Sequence, residues 1–108
     1  MDAPHRGQYL FFYKKRSLMP KVKFTAALKR FFPNLEEKVV NGETVAEALN
    51  ALESNYPGLK DYIVDEQGRL RRHVNIFVEG ELIQDRLALA DPVAEGQEML
   101  IFQALSGG

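Results

Sequence analysis

Apolar and polar residues begin to alternate regularly at Lys21, in the segment KVKFTAAL. Alternation with a period of two is typical of a half-buried strand, which we expect to run from Lys21 to Leu28. Pro33-Asn34 then interrupts the pattern, and the short β-branched segment Glu37–Val40 predicts a return strand. The predicted inward positions of the first strand are Val22, Phe24, Ala26 and Leu28.

The next segment, NGETVAEALNALESNYPG, has the pattern of an amphipathic helix. Thr44 and Glu47 have the spacing of a capping box, in which the hydroxyl accepts from the Glu47 N–H while the carboxylate reaches back. Pro57-Gly58 predicts the end of the helix. Apolar residues at i, i+4, i+7 and i+11 form one face, which we expect to be core: Val45, Leu49, Leu52 and Tyr56.

Three short elements are predicted after the helix. A helical turn is expected in LKDYIVDEQGRLRR, before a turn at Gln67-Gly68. Val74–Val78 has the composition of a strand, and Glu79-Gly80 is expected to turn the chain into a short partner strand at Leu82-Ile83.

The last predicted strand is Glu98–Phe102, after a long connection that contains Pro92 and Gly96. Its continuous apolar run is typical of a strand that has neighbours on both edges. The order strand, strand, helix, strand, short strand, strand predicts an α+β domain. We expect a mixed sheet of four to five strands packed on one main helix.

The chain divides into three parts by composition. Residues 1–18 are expected to be a flexible extension or a misassigned start, residues 19–104 the folded domain, and residues 105–108 a flexible Gly-Gly tail. The alternative for the first part is an arm that docks on a partner or on a second copy. The residues that would dock are the aromatic residues Tyr9, Phe11, Phe12 and Tyr13.

Composition narrows the classes of function. The formal net charge is −1, which disfavours broad binding to nucleic acid or to anionic membranes. The chain contains no cysteine, which excludes disulfides, thiolate catalysis and cysteine-ligated metals. No apolar stretch approaches the roughly 20 residues of a membrane span, and we expect a cytoplasmic protein.

The side chains offer little support for catalysis by the chain alone. The two histidines, His5 and His73, are far apart, and neither has acidic residues at metal-ligand spacing. There is no phosphate loop of the Walker type. The serines have no evident base, so nucleophilic serine catalysis has little support.

Three segments together resemble the MoaD/ThiS family of ubiquitin-like sulfur-carrier proteins. They are HVNIFVEGELI, PVAEGQEMLIF and the terminal Gly-Gly, which occur in the order typical of that family. The resemblance extends from Met19 to Gly108 and implies a β-grasp fold. Residues 1–18 have no counterpart in the family pattern.

The resemblance implies that the chemistry occurs at the carboxyl group of Gly108. An E1-like enzyme would adenylate it with ATP, and sulfur would then form a thiocarboxylate. Gly107 and Gly108 give a thin tail for a narrow channel, while Ser106 and Leu105 would fix its depth. The chain itself would bind no cofactor, and it would act as a co-substrate or as a small subunit of an enzyme.

Several alternatives stay open at this point. The sulfur acceptor is a precursor of molybdopterin, thiamin or cysteine, or a tRNA base. The same Gly108 adenylate would also serve a ubiquitin-like modifier of lysines, and a third reading is a β-grasp interaction module with an inert tail. Residues singled out for binding a partner are Phe77, Phe102, Arg71 and Arg72.

Each of these binding residues has a structural alternative. Phe77 faces outward if Ile76 faces the core, and the reverse arrangement is the alternative. The arginines that precede His73 either form a solvated turn or pair with an acidic partner. Phe31-Phe32 is either a lid on the core or a contact.

Overall fold

A computed structural model describes residues 19–94 and 96–103. The predicted extension at residues 1–18 and the predicted tail at residues 105–108 lie outside the described residues. Five strands and three helices are present in the part described. They are β1 (Lys21–Phe24), α1 (Ala26–Lys29), β2 (Lys38–Val39), α2 (Val45–Asn55), α3 (Leu59–Ile63), β3 (Val74–Val78), β4 (Glu81–Leu82) and β5 (Glu98–Gln103).

The five strands form one mixed sheet in the order β2-β1-β5-β3-β4. Strand β5 lies in the centre, parallel to β1 and antiparallel to β3. The two outer pairs, β1 with β2 and β3 with β4, are antiparallel. This arrangement confirms the predicted mixed sheet and the prediction that the last strand has a neighbour on each edge.

The first strand is shorter than the alternating pattern predicts. Strand β1 ends at Phe24, and the single helical turn of α1 follows Thr25, whose side chain makes no capping hydrogen bond. The expectation of a strand as far as Leu28 was therefore wrong. Ala, Leu and Lys all favour a helix, and the turn buries Leu28 completely while Ala26 stays exposed. A continued strand would have placed both side chains on the same face.

Helix α2 begins with the predicted capping box. The Glu47 N–H donates to Thr44 Oγ1 over 3.2 Å, and Glu47 Oε1 accepts from the Glu43 N–H over 2.8 Å. Two backbone donors at the start of the helix are thus satisfied. The predicted apolar face is buried at Val45, Leu49 and Leu52, all within 1% of full burial. The fourth predicted residue, Tyr56, follows the helix and is half-buried.

Glu53 joins α2 to α3, the predicted short helical turn. Its carboxylate accepts from the N–H groups of Gly58 and Lys60, each over 2.8 Å. These two hydrogen bonds stabilise the charged form and hold the pKa of Glu53 below its usual value. Gly58 has φ +94°, a conformation that glycine adopts without the steric cost of a Cβ.

The long connection between β4 and β5 is ordered around Asp85. Its carboxylate accepts from the N–H groups of Leu87, Ala88 and Ala90 over 2.9–3.0 Å. Hydrogen bonds from Ala88 and Ala90 are the main reason that the pKa of Asp85 is lowered. The connection also covers the start of α2, where the Ala46 N–H donates to the Leu89 carbonyl over 2.9 Å.

One hydrophobic core lies between the sheet and the helices. From the sheet it contains Val22, Ile76 and Ile101, each fully buried. The helices contribute the apolar face of α2 together with the buried residues of α1 and α3. Helices therefore cover one face of the sheet, as the predicted α+β architecture requires. No helix within residues 19–94 or 96–103 combines the length and apolar character needed to cross a membrane.

Candidate functional site: the outer face of the sheet and the end of β5

Strand β5 leads directly to the predicted tail, and its last residue is held firmly. Gln103 pairs with Val74 at the start of β3. The Gln103 N–H donates to Thr25 Oγ1 over 3.4 Å, and the Thr25 N–H donates to the Ile101 carbonyl over 3.3 Å. The chain therefore leaves the sheet from its central strand, between two neighbours.

The predicted site residues of the tail are Leu105, Ser106, Gly107 and Gly108. All four lie outside the described residues, so their roles stay predictions. The fixed point from which they extend is Gln103.

The outer face of the sheet, opposite the helices, carries an apolar stripe. The strand register places Leu82 beside Phe77 and Phe77 beside Leu100. Phe102 follows on the same side of β5, because side chains two residues apart share a face. We use the name apolar stripe for these four residues: Leu82, Phe77, Leu100 and Phe102.

The orientation of β3 agrees with the expected outward position of Phe77. Ile76 is fully buried in the core, and Phe77 lies half-buried on the other face. Phe102 is 40% exposed and Leu82 53% exposed. Both aromatic residues singled out from the sequence are thus brought together on one surface.

A shallow depression of about 390 Å³ opens on the apolar stripe. It is lined by Phe77, Leu100 and Phe102, with Gly80 and Glu98 at its border. Contiguous exposed apolar surface on a small domain often marks a site of interaction. Aromatic side chains in such a depression are suitable anchors for a partner.

Ion pairs border the stripe on the side of β1. Lys23 Nζ lies 2.9 Å from a Glu98 carboxylate oxygen and 3.8 Å from one of Glu37. The hydrogen bond to Glu98 is the main reason that the pKa of Lys23 is raised. These groups are all substantially exposed, so the pairs add little stability. They separate the stripe from Val39 on β2, which is 51% exposed.

The two arginines singled out from the sequence have different surroundings. Arg71 is half-buried, and its Nε donates to the Asp61 carbonyl over 2.9 Å, so this side chain connects the segment before β3 to α3. Arg72 is exposed. Because Val74 pairs with Gln103, Arg72 lies at the end of the sheet where the chain leaves β5. Its position is suited to an acidic partner near the tail.

Sequence reasoning missed Leu82 and Leu100 as parts of this surface. The signal was present in β5, where Leu100 and Phe102 alternate with the buried residues Met99 and Ile101. Reading the segment as one continuous apolar run concealed that alternation. Leu82 could be assigned only once its register with Phe77 was known.

Phe31 and Phe32 lie away from this surface and contact α3. The Phe31 ring stacks on Tyr62 with centroids 5.0 Å apart, and Phe31 is 53% exposed. Phe32 packs against the core and meets Tyr62 edge-on at 5.2 Å. Phe32 is thus the lid residue of the pair.

Residues 19–94 and 96–103 contain no group of three or more potential metal ligands. His73 is exposed just before β3, at the entrance of the strand.

Comparison with known proteins agrees with this arrangement. The sequence model of the ThiS family matches residues 22–108. The sulfur carrier protein CysO of Mycobacterium tuberculosis is 34% identical over 70 residues, which cover 63% of this chain and 75% of that protein. Small archaeal modifier protein 1 of Haloferax volcanii is 36% identical over 70 residues, covering 64% and 76%.

A solved structure shows the same fold. In the crystal structure of the Amycolatopsis orientalis BexX/CysO complex, the matching chain has a TM-score of 0.70 and 26% identity. The match covers 82% of the present chain and 99% of that chain. With its ubiquitin-like β-grasp sheet and a family match that continues to Gly108, the protein belongs to the ThiS family.

Proposed function

We propose that the protein is a sulfur carrier whose reactive group is the carboxyl of Gly108. The observation that carries the proposal is the family match, which includes the whole segment from β5 to Gly108. The named relative CysO, a sulfur carrier protein, supports it. We further propose that residues 19–104 are the folded carrier domain, residues 1–18 an extension and residues 105–108 the reactive tail.

The chemistry proceeds in two steps. A carboxylate of Gly108 attacks the α-phosphorus of ATP, which releases pyrophosphate and forms an acyl adenylate. A sulfur nucleophile at the oxidation level of sulfide then attacks the carbonyl carbon and forms a C–S bond. The C–O bond to the phosphate breaks, and AMP leaves with that oxygen and the bonding electron pair. The product is a thiocarboxylate. ATP belongs to the activating E1-like partner, and the carrier itself binds no cofactor.

Attachment of the tail to the central strand suits this role. Gln103 is fixed by its pairing with Val74 and by Thr25, so the chain is anchored five residues before Gly108. Gly107 and Gly108 lack a Cβ and can enter a narrow active site. Leu105 and Ser106 are the residues that would set the depth of insertion.

A partner surface close to the tail completes the proposal. The apolar stripe occupies the face of the sheet that the helices leave open, and Phe102 lies one residue before Gln103. The E1-like enzyme and the acceptor enzyme would each cover this stripe while they hold the tail. Arg72 would add an attraction to an acidic partner.

A ubiquitin-like modifier is the second candidate function. It is favoured by the 36% identity to small archaeal modifier protein 1. The same adenylate of Gly108 would be consumed, but the nucleophile would be a lysine amine of a target protein. The two functions differ in the acceptor and share the activated carboxyl group.

Incubation of the purified full chain with host lysate, ATP and sulfide separates these functions. The carrier predicts a gain in intact mass equal to the difference between one sulfur and one oxygen atom, and this gain is absent without ATP. The modifier predicts large adducts joined through Gly108 to lysines. A variant that lacks Gly108 is the control. If neither product forms in a lysate that activates a known ThiS-family carrier, the proposal is refuted.

A further inference from the structure

The apolar stripe is open to solvent in the described part of the chain. Helices α1, α2 and α3 contribute their apolar residues to the core on the opposite face of the sheet. Among residues 19–94 and 96–103, the side chains of Phe102 and Leu82 keep 40% and 53% of their surface exposed. A contiguous apolar surface of this kind favours a covering segment or partner.

The same chain contains a segment suited to cover it. Residues 9–13, with the sequence YLFFY, hold four of the eleven aromatic residues of the protein (seven Phe and four Tyr). We call residues 9–13 the aromatic segment. We propose that the aromatic segment packs on the apolar stripe of its own molecule. This inference concerns the free chain and does not depend on the sulfur chemistry of the proposed function.

The connection between segment and stripe is long enough. On the central strand β5, Glu98 pairs with Lys21 of β1 and Leu100 pairs with Phe77 of β3. Pro20, the residue before β1, is buried and its carbonyl accepts from the Val40 N–H over 3.0 Å, so the chain is in place from Pro20 onward. Two strand spacings across and about three residues along the sheet separate Pro20 from Phe77 by about 14 Å. Seven residues lead from Tyr13 to Pro20, and they span up to about 23 Å when extended.

Chain statistics for a connection of this length also favour contact within one molecule. Seven residues have a root-mean-square end-to-end distance of about 15 Å, close to the separation of about 14 Å that must be spanned. When linker and span match in this way, the effective concentration of the segment at its site is in the millimolar range. A second copy at ordinary concentrations competes poorly with such a segment.

Charge complementarity also favours contact between the aromatic segment and the apolar stripe. The basic run Lys14-Lys15-Arg16 lies between the aromatic segment and β1. At the end of the sheet where β1 begins, Glu98 is beside Lys21 and already forms an ion pair with Lys23. The acidic residues available to the basic run are Glu79 and Glu81, which are exposed at the hairpin between β3 and β4. Each pair would be weak alone, but together they guide the segment towards the stripe.

A spin label in the full chain tests the proposal. The protein has no cysteine, so Gln8→Cys gives one attachment site for a nitroxide beside the aromatic segment. The measurement is the paramagnetic broadening of backbone amide signals in a ¹⁵N-labelled sample. We expect strong broadening at Phe77, Leu100 and Phe102, and little at Leu87, which is 69% exposed in the connection before β5.

Two controls separate packing from simple proximity and from self-association. In the Gln8→Cys background, serine at the four aromatic positions should return the broadened signals to at least half of their intensity in the reduced sample. Unchanged broadening would mean that the linker alone brings the label close, and would overturn the proposal. The second control tests contact between two copies. It mixes ¹⁵N-labelled chain that carries no nitroxide with spin-labelled chain that carries no ¹⁵N. Broadening of the stripe in that mixture, or no broadening of the stripe in the single-chain sample, would also overturn it.

Discussion

Phe102 should contribute directly to binding of the activating enzyme. We consider the substitution Phe102→Ser, with Phe31→Ser as the matched control. Both residues are phenylalanines with much of the side chain exposed, 40% for Phe102 and 53% for Phe31. Phe102 belongs to the apolar stripe, whereas Phe31 stacks on Tyr62 among the helices.

The exposed area sets the size of the effect. A phenylalanine that is wholly covered buries about 150–250 Å², so the exposed 40% of Phe102 leaves about 60–100 Å² for a partner to cover. At about 25 cal/mol per Å² this area is worth roughly 1.5–2.5 kcal/mol. The corresponding loss of affinity is roughly 10- to 70-fold.

The assay is thiocarboxylate formation in a fixed amount of host lysate as the carrier concentration is varied. We expect Phe102→Ser to raise the half-saturating concentration by that factor and Phe31→Ser to change it less than about threefold, a difference worth under 1 kcal/mol. Both variants should carry serine at the four positions of the aromatic segment, so that loss of the intramolecular cover does not offset the loss of partner contact. Urea unfolding of each variant checks that the domain is folded. Equal half-saturating concentrations would refute a docking role for the stripe.

Three further predictions concern the domain itself. In Gly42→Ala the added Cβ would lie 2.7 Å from the backbone nitrogen of Ala48, whereas in Gly68→Ala it meets nothing within 4 Å. Urea unfolding should therefore show that Gly42→Ala loses about 1–3 kcal/mol more unfolding free energy than Gly68→Ala. Equal losses would contradict the close approach. Thr44→Ala removes the side-chain cap of α2 and should cost about 1 kcal/mol of unfolding free energy, whereas an unchanged value would contradict the capping role. The pKa of Asp85 is lowered in the folded state, so its stabilisation is present above its unfolded pKa of about 4 and is lost as pH falls through the lower folded value. Asp85→Asn should therefore flatten the loss of stability between neutral pH and pH about 3 in urea unfolding, and an unchanged pH dependence would contradict this assignment.

Local patterns in the sequence were sufficient to predict most of the elements. The capping box of Thr44 and Glu47 and the strand Val74–Val78 depend on neighbouring residues, and both are present. The alternation from Lys21 to Leu28 was misleading, because a single helical turn after Thr25 buries Leu28 as well as a strand would. Period-two and helical patterns cannot be distinguished when an apolar run is that short.

The candidate site was only partly accessible from the sequence. Phe77 could be named because it alternates with Ile76 and Val78, and Phe102 because it lies close to the tail. Their association with Leu82 depends on the register of three strands, which no local pattern specifies. Arg71 was grouped with Arg72 by proximity in sequence, but its hydrogen bond to the Asp61 carbonyl directs it to a structural role.

The central claim is that Gly108 carries sulfur, and thiol-directed alkylation tests it most directly. Because the chain has no cysteine, a reagent that alkylates thiols has no competing thiol within the protein. The measurement is tandem mass spectrometry of the full chain, isolated from its host under sulfur-replete conditions and alkylated at once. The account predicts a single alkyl group on the carbonyl sulfur of Gly108, lost in host cells that lack the activating enzyme. An unmodified Gly108 carboxyl in every molecule isolated from cells that are actively incorporating sulfur would contradict it.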